Sequence, residues 1–582
     1  MSIRKFWLKT SQIVDWEKKP KRAFKKKNGN YIEWFPDGKL NIFSNCISNN
    51  LNSKIKNKVA FYNINKNKEI TSYSYQSLAN IINNFSKELI EVLQSKLNAS
   101  KVIIHGSASL ETAVAMLSCA KLGIHFSVIF EDLAAEAISK RIDLIKPDLF
   151  ITRFEIKNFK KQILKKIKVK KSFKIYYINY KNIINLDKKT SFLKNKSFNS
   201  NRDFFTLFTS GSTGAPKGIV HGSGGYLVAT KLTSKKLFGM SKNSVVMTAS
   251  NAGWLNGHTY ALFGPLSLGA TTVLLEDPML LLDEKLLKKI LKLRVSILYL
   301  PVTLIRLMKS LFHNKKFKSK SLTTLGSMGE HIAPSVAEWF ADTFTQKNKA
   351  IINAYYQTEN GAIISSPSFK DKTSNIPHGS VGKPVTKYLK VNKLSKTKKT
   401  EIKLISPWPG NMKRILNEKK EWKKYWDKQG NFRMFDLATQ KNKNIFIHGR
   451  SDDVINVRGH RIGCEEIEST VLKINKVFES CVISLPDEYE GEKLYLFIAS
   501  KERGLETSIN ESIISNFGSF ALPSRIFYVE ELPKTRSGKI LRRLLRSILI
   551  KPNSVKKIDL NVMANKKIIS DIIDQIQNYG KN

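Results

Sequence analysis

Between residues 100 and 151 the chain alternates between two periods. "KVIIHG" is short, apolar and β-branched, "SLETAVAMLSCAKLG" carries apolar residues at helical spacing and stops at Gly123, "IHFSVIF" reads as a strand, "LAAEAISKRIDLI" as a helix and "PDLFIT" as a strand. Strand–helix–strand alternation leaves few folds open, because it predicts parallel strands joined by crossover helices that cover the sheet. The pattern resumes in "FFTLFTS", "SVVMTAS", "ATTVLLED", "VSILYLP", "LTTLGSMG" and "AIINAYYQ". Several of these runs end in small, hydroxyl or glycine residues. Ligands of open α/β sheets gather outside the carboxyl ends of strands, so a site is expected at those endings.

A chain of 582 residues exceeds one ordinary core and predicts about three to four domains or subdomains. After residue 430 the texture changes, and "IFIHGRSDDVINVRGHRIGCEEIESTVLKI" with "SCVISLPDEYEGEKLYLFIAS" reads as a smaller α+β unit. The first ~50 residues read as an accessory segment packed on the rest of the chain. Residues 155–202, rich in Lys and Asn with poor periodicity, read as a surface excursion. With 42% hydrophobic and 25% charged residues the chain is of the globular class. The most apolar stretch, Ala113 to Phe130, is broken by Lys121 and His125 and falls short of the ~20 residues that span a bilayer. It reads as a buried helix followed by a strand, and no membrane insertion is expected. The first residues, "MSIRKFWLKTSQIVDW", hold no apolar signal core, so a cytoplasmic location is expected. Cys46, Cys119, Cys464 and Cys481 are scattered without a C-x-x-C pair, which argues against a disulfide framework or a zinc site.

A net charge of +50 raises the question of nucleic acid. The excess is mostly Lys spread with Asn and Ile through stretches such as "KNFKKQILKKIKVKKSFK" (157–174), as a broad compositional bias produces. There is no zinc finger, aromatic RNA-binding signature or discrete basic arm, so no nucleic-acid partner is expected.

"FTLFTSGSTGAPKGIVHG" (205–222) is an apolar strand-like run that opens into Ser, Thr, Gly and one Lys. Such a loop can turn amides and hydroxyls inward around a phosphate. It is not a Walker loop, because Pro216 stands five positions beyond Gly211, followed by Lys217 and Gly218. It is a phosphate loop of another kind, or a turn.

Five segments in order resemble the adenylate-forming superfamily of acyl-coenzyme A synthetases, adenylation domains and luciferases. They are "TSGSTGAPKG" (209–218), "YYQTENG" (355–361), "FDLA" (435–438), "GRSDDVINVRGHRI" (449–462) and "PKTRSGK" (533–539). Within it the chain is most similar to the AMP-forming acetyl- and propionyl-coenzyme A synthetases, through "NAGWLNGHTYALFGPLSLGATTVLLED" (251–277), "LGSMGEHIAP" (325–334), "PWPGNMKRI" (407–415), "DLNVMAN" (559–565) and the opening "FWLKTSQIVDW" (6–16). The resemblance runs nearly end to end, interrupted at 155–202. It implies an α/β fold with a large N-terminal adenylate-forming domain of helix-covered β-sheets and a small mobile α+β C-terminal domain. The implied parts are an accessory segment over 1–60, the large domain over 61–450 and the small domain over 451–582.

The resemblance implies ATP, Mg²⁺ and coenzyme A as reactants, small-molecule substrates, and activation of a carboxylate as an acyl-adenylate. Thr209, Ser210, Gly211, Ser212, Thr213, Gly214 and Lys217 would hold the β- and γ-phosphates. Thr358 would bind the α-phosphate and Glu359 would help hold magnesium. Asp436 would accept from both ribose hydroxyls, with Phe435 standing where the family usually has Gly. Gly329, Glu330, Asn353, Tyr355, Tyr356, Gln357, Arg450 and Arg461 complete the nucleotide side. Lys539 would bridge the acyl carboxylate and the α-phosphate, and would be the target of a lysine acetyltransferase and deacetylase. Asp452 falls at the hinge, with Gly459 and His460 on the coenzyme A side. Leu255, Asn256, Met328 and Tyr356 stand where acetyl enzymes usually carry Val, Thr, Val and Trp, so acetate, propionate, acrylate and a small polar acid all stay open. The family's Gly-Gly after "SVIF" is replaced by Glu131 and Asp132, and its downstream arginines have no clear match near Arg153. Those changes leave open a different thiol acceptor.

Overall fold

The computed structural model describes the chain except residues 53, 95, 96, 98, 132, 134, 159–171, 211–215, 331, 345–348, 452, 453, 458, 459, 488–490, 536, 537, 552–562, 564–566 and 580–582. The alternation seen in the sequence becomes two seven-stranded sheets. The first runs Arg414–Ile415, Pro216–Gly222, Asp203–Ser210, His125–Ile129, Lys101–His105, Leu149–Thr152 and Lys174–Tyr177 from edge to edge. Its strands pair in parallel from Asp203–Ser210 to the far edge, and antiparallel on the other side. The second runs Ile352–Asn353, Thr324–Met328, Ile297–Pro301, Val245–Thr248, Thr271–Leu275, Val59–Ile64 and Ile70–Ser74, all parallel except the last pair.

One part of the expectation needs correction. The stretch 155–202 is more than a surface excursion, since "KIYY" (Lys174–Tyr177) is an edge strand of the first sheet. Four residues beside a lysine run are too short for a period to show. Further on, Asn84 donates to the carbonyls of Leu186 (2.8 Å) and Lys188 (2.9 Å), and Asn83 accepts from the Leu193 N–H (2.8 Å). Two buried amides thereby pin the segment to the helix Tyr75–Leu93.

The helix Leu110–Leu122 shows how the sheets are joined. Ser109 caps its start, accepting from the Thr112 N–H, and Gly123 ends it in the left-handed region at φ 68°. The Phe198 ring lies 2.4 Å from where a Cβ on Gly123 would stand, so glycine is required twice over. Every residue from Leu110 to Lys121 is buried, which demands protein on all sides. The helix connects two strands of the first sheet, and its first N–H, on Leu110, donates to Asn63 Oδ1 (3.0 Å) in the second.

The opening segment packs as expected. Trp7 is fully buried and meets Trp34 (5.8 Å) and Trp408 (5.6 Å) edge-on. Tyr31 stacks on Trp422 at 4.6 Å, and the Trp422 indole N–H donates to the Gly29 carbonyl (2.8 Å).

The last part of the chain builds a separate three-stranded sheet from Glu479–Asp487, Gly491–Ala499 and Arg525–Val529, the first pair antiparallel and the second parallel. Side chains alternate across it. Val482, Leu494 and Leu496 pack with the helices Cys464–Val471 and Glu506–Phe517, while Cys481, Ile483 and Phe497 pack with Arg542–Ile550 and Ile568–Tyr579. All four cysteines are buried and unpaired with one another. No described helix is long and apolar enough to cross a membrane.

Candidate active site

The strand endings converge as the sheet topology requires. Asp203–Ser210 and Pro216–Gly222 form a hairpin in which Thr209 stands opposite Lys217. Its tip, with Gly211, Ser212, Thr213 and Gly214, lies outside the described residues, as does the Ser210 side chain. Lys217 is half-buried, and its ammonium lies 2.6 Å from Glu421 Oε2 and 5.9 Å from the centroid of the Tyr425 ring.

Thr358–Asn360 is a single tight turn held at both ends. The Gln357 N–H donates to Asn360 Oδ1 (3.1 Å), and Gly361 closes the turn at φ 67°. His221, buried and pushed down to about 4 by that burial, stays neutral and donates from Nε2 to the Thr358 carbonyl (2.8 Å). Glu359 is buried, and its Oε1 accepts from the Tyr425 hydroxyl (2.7 Å).

Asp436 is the most constrained of the expected residues. Its Oδ2 accepts from the Tyr355 hydroxyl (2.6 Å) and from Gln357 Nε2 (2.7 Å), which also donates to the Met434 carbonyl (2.6 Å). Phe435 before it sits at φ 55°, the left-handed region that favours glycine. Its ring meets Tyr425 edge-on at 5.4 Å and lies 4.6 Å beneath the Arg433 guanidinium. Arg450 pairs opposite Asp436 in the ladder, but its side chain, like those of His460 and Arg461, lies outside the described residues, as do Asp452 and Gly459.

Gly329 (φ 88°) and Glu330 follow Met328 at the carboxyl end of the strand Thr324–Met328, and Glu330 pairs with Arg306 at 2.9 Å. Asn353 faces inward, with its amide nitrogen donating to the Ser380 carbonyl (3.1 Å) and its oxygen accepting from Ser327 (3.3 Å). The four residues expected to wall an acyl pocket fall into the same region. Leu255 and Met328 are buried, Tyr356 meets Tyr260 edge-on at 6.0 Å, and Asn256 lies one helical turn before Tyr260. Asn256 Oδ1 and the hydroxyls of Tyr299 and Tyr356 make no well-formed hydrogen bond among the described residues. Burial holds both phenols well above their usual range.

Lys539 is exposed. Its carbonyl accepts from the Thr535 N–H (2.8 Å), and the Gly538 carbonyl accepts from Thr303 Oγ1 (3.0 Å). Thr303 lies in the first turn of the helix Val302–Phe312, directly after the strand Ile297–Pro301, so the loop before Lys539 docks at the carboxyl edge of the second sheet. Arg153 is enclosed by carboxylates, with Glu131 at 2.9 Å, Glu111 at 3.4 Å and Glu276 in direct contact. Glu131 is thus one of three carboxylates gathered around Arg153.

Sequence reasoning missed His221, Glu421 and Tyr425. "KKEWKKYW" reads as a short charged run, and only the folded chain brings it against Lys217 and Glu359.

The AMP-binding enzyme profile matches residues 50–404, the AMP-binding enzyme C-terminal domain residues 466–539, and the acetyl-coenzyme A synthetase N-terminus residues 2–46. The acetyl-coenzyme A synthetase of Pasteurella multocida (strain Pm70) is 30% identical over 607 aligned positions, covering 97% of this chain and 92% of that protein. That of Helicobacter pylori (strain P12) is 30% identical, covering 98% and 93%. Among solved structures, the acetoacetyl-CoA synthetase from Streptomyces lividans superposes with a TM-score of 0.80 at 15% identity, covering 99% of this chain and 93% of that one. The anthranilate CoA ligase AuaEII in complex with anthranoyl-AMP gives 0.76 at 21%, covering 88% and 97%. Those two show the shared fold. The profile over most of the chain and the end-to-end relatives show more: this chain belongs to the AMP-binding enzyme family.

Proposed function

We propose that the chain is an AMP-forming acetate–coenzyme A ligase, converting ATP, a short-chain carboxylate and coenzyme A to acyl-coenzyme A, AMP and diphosphate. The observation that carries this reading is the cluster of Asp436, Tyr355, Gln357, Thr358 and Glu359 beside the Lys217 hairpin. It is supported by relatives named acetyl-coenzyme A synthetase along nearly the whole chain.

The chemistry is dictated by the atoms. A carboxylate has no adequate leaving group, so one of its oxygens attacks the α-phosphorus of ATP and diphosphate departs. The coenzyme A thiolate then attacks the acyl carbon, and AMP leaves with the electron pair of the C–O bond. Asp436, already oriented by two donors, accepts from the ribose hydroxyls. Thr358 donates to an α-phosphate oxygen, and Lys217 with the hairpin tip meets the outer phosphates. Lys539 offsets charge on the transferring phosphoryl group, an effect of several kcal/mol for a preorganised donor. Among the described residues no three His, Cys, Asp or Glu side chains gather as a metal cage. A single carboxylate, Glu359, suits Mg²⁺, which keeps waters and takes further ligands from substrate phosphates. When bound, the metal neutralises phosphate charge.

In this reading residues 61–450 form the large domain and 451–582 a small domain that turns about Asp452, bringing Gly459 and His460 to the thiol. Lys539, exposed on its loop, is the acetylation target, and the enzyme is cytoplasmic. The test is diphosphate release with ATP and Mg²⁺ against acetate, propionate, acrylate and glycolate, each with and without coenzyme A. Acetate should give the highest kcat/KM, with AMP turnover driven by coenzyme A. Absence of acid-dependent diphosphate release with every acid overturns the reading.

A further inference from the structure

The short helix Lys419–Lys424 joins two groups that lie far apart in sequence. Glu421 on this helix meets the Lys217 ammonium at 2.6 Å. Tyr425, next after the helix and four residues from Glu421, presents its ring to the same ammonium at 5.9 Å and donates its hydroxyl to Glu359 Oε1 at 2.7 Å. Residues four apart project from one helical face, so a single element reaches the hairpin lysine and the turn carboxylate together. Tyr425 is buried, and the Glu421 side chain is 13% exposed. The helix is held in place by Trp422, stacked on Tyr31 and bonded to the Gly29 carbonyl.

We propose that Glu421 and Tyr425 are positioning residues for the nucleotide–metal site, with Glu421 holding Lys217 aside until phosphate replaces it and Tyr425 aiming Glu359 at the metal. The inference rests on the roles proposed for Lys217 and Glu359 in the ligase reaction. A carboxylate that ligates a metal through one oxygen gains a defined direction when its other oxygen accepts from a fixed donor. An ammonium left unpaired in a half-buried site is costly, and Glu421 removes that cost before nucleotide binds. The same ion pair must then break when the phosphates arrive, so Glu421 competes with ATP for Lys217. The Tyr425 ring face lies beside that exchange and attracts the cation throughout. The N-terminal segment gains a task from this arrangement, since Tyr31 and Gly29 hold the helix that carries both residues.

The test uses the full-length protein and two readouts that do not depend on turnover. The first is Mn²⁺ affinity in the presence of a non-hydrolysable ATP analogue, followed by electron paramagnetic resonance. Tyr425→Phe keeps the ring and removes one hydrogen bond to a charged group, so Mn²⁺ affinity should fall about tenfold with the thermal midpoint unchanged. The second is ATP affinity without metal, followed by tryptophan fluorescence. Glu421→Gln should tighten ATP binding by about threefold in the wild-type background and have no effect when combined with Lys217→Gln. Unchanged Mn²⁺ affinity in Tyr425→Phe, or a weakening by Glu421→Gln that persists without Lys217, overturns the inference while leaving the proposed reaction intact. Failure of the unsubstituted protein to bind ATP overturns the reaction first.

Discussion

At the scale of single residues, Phe435 is the clearest departure from what its backbone asks for. A bulky residue at φ 55° costs about 1–2 kcal/mol relative to an ordinary conformation, and the ring contacts with Tyr425 and Arg433 offset part of it. Two truncations separate the terms, because both remove the ring but only one relieves the backbone. Phe435→Gly should therefore be more stable than Phe435→Ala by about 1 kcal/mol in urea unfolding, the reverse of the usual order of these residues in regular structure. An equal or lower stability for the glycine variant would show that the turn relaxes on its own. The sequence made Asp436 legible as a candidate site residue, because "FDLA" stands in order with four other motifs. It held no hint that Tyr355 and Gln357 would both donate to that carboxylate, since neither spacing nor composition encodes which side chains meet across 81 and 79 positions.

At the scale of elements, the strands with a clear period were legible and the short ones were not. "KVIIHG", "IHFSVIF" and "VSILYLP" became central parallel strands, because buried strands show as continuous apolar runs. "KIYY" and the helix Lys419–Lys424 span too few residues for any period and owe their form to neighbours. The loop Pro533–Lys539 was legible as a motif, while its docking was not. One link to the large domain is the bond from Thr303 to the Gly538 carbonyl, where φ is 85° and a Cβ would lie 2.8 Å from the Thr303 side chain. Thr303→Val removes one hydrogen bond, so acid-dependent diphosphate release should fall roughly threefold to tenfold. Thioester formation from supplied acyl-adenylate should stay within a factor of two, because in the proposed reaction that step does not use Lys539. A parallel fall in both half-reactions would place Thr303 in general stability instead.

At the scale of the whole molecule, the meeting of the small and large parts carries a pH dependence. Glu465, on the helix Cys464–Val471, has its carboxyl 3.0 Å from where a Cβ on Gly449 would stand. Burial pushes it up to about 7; Arg542 opposes the rise, while Glu468, Asp436 and Glu330 add to it. A carboxyl raised in the folded state binds its proton more tightly there than in the unfolded chain. Its contribution is therefore present below about 4.5 and is lost as pH rises through about 7. Between pH 5 and 8 the thermal midpoint of the wild type should fall relative to Glu465→Gln, whose neutral amide cannot ionise. Parallel curves for the two proteins would exclude Glu465 as the source. The helix Leu110–Leu122 has a consequence of a different kind. Because it serves as the interior of both sheets at once, neither sheet can open without exposing the other's core. The large part should exchange its deepest amide hydrogens in both sheets at one common rate, as a single cooperative block rather than as two independently melting layers.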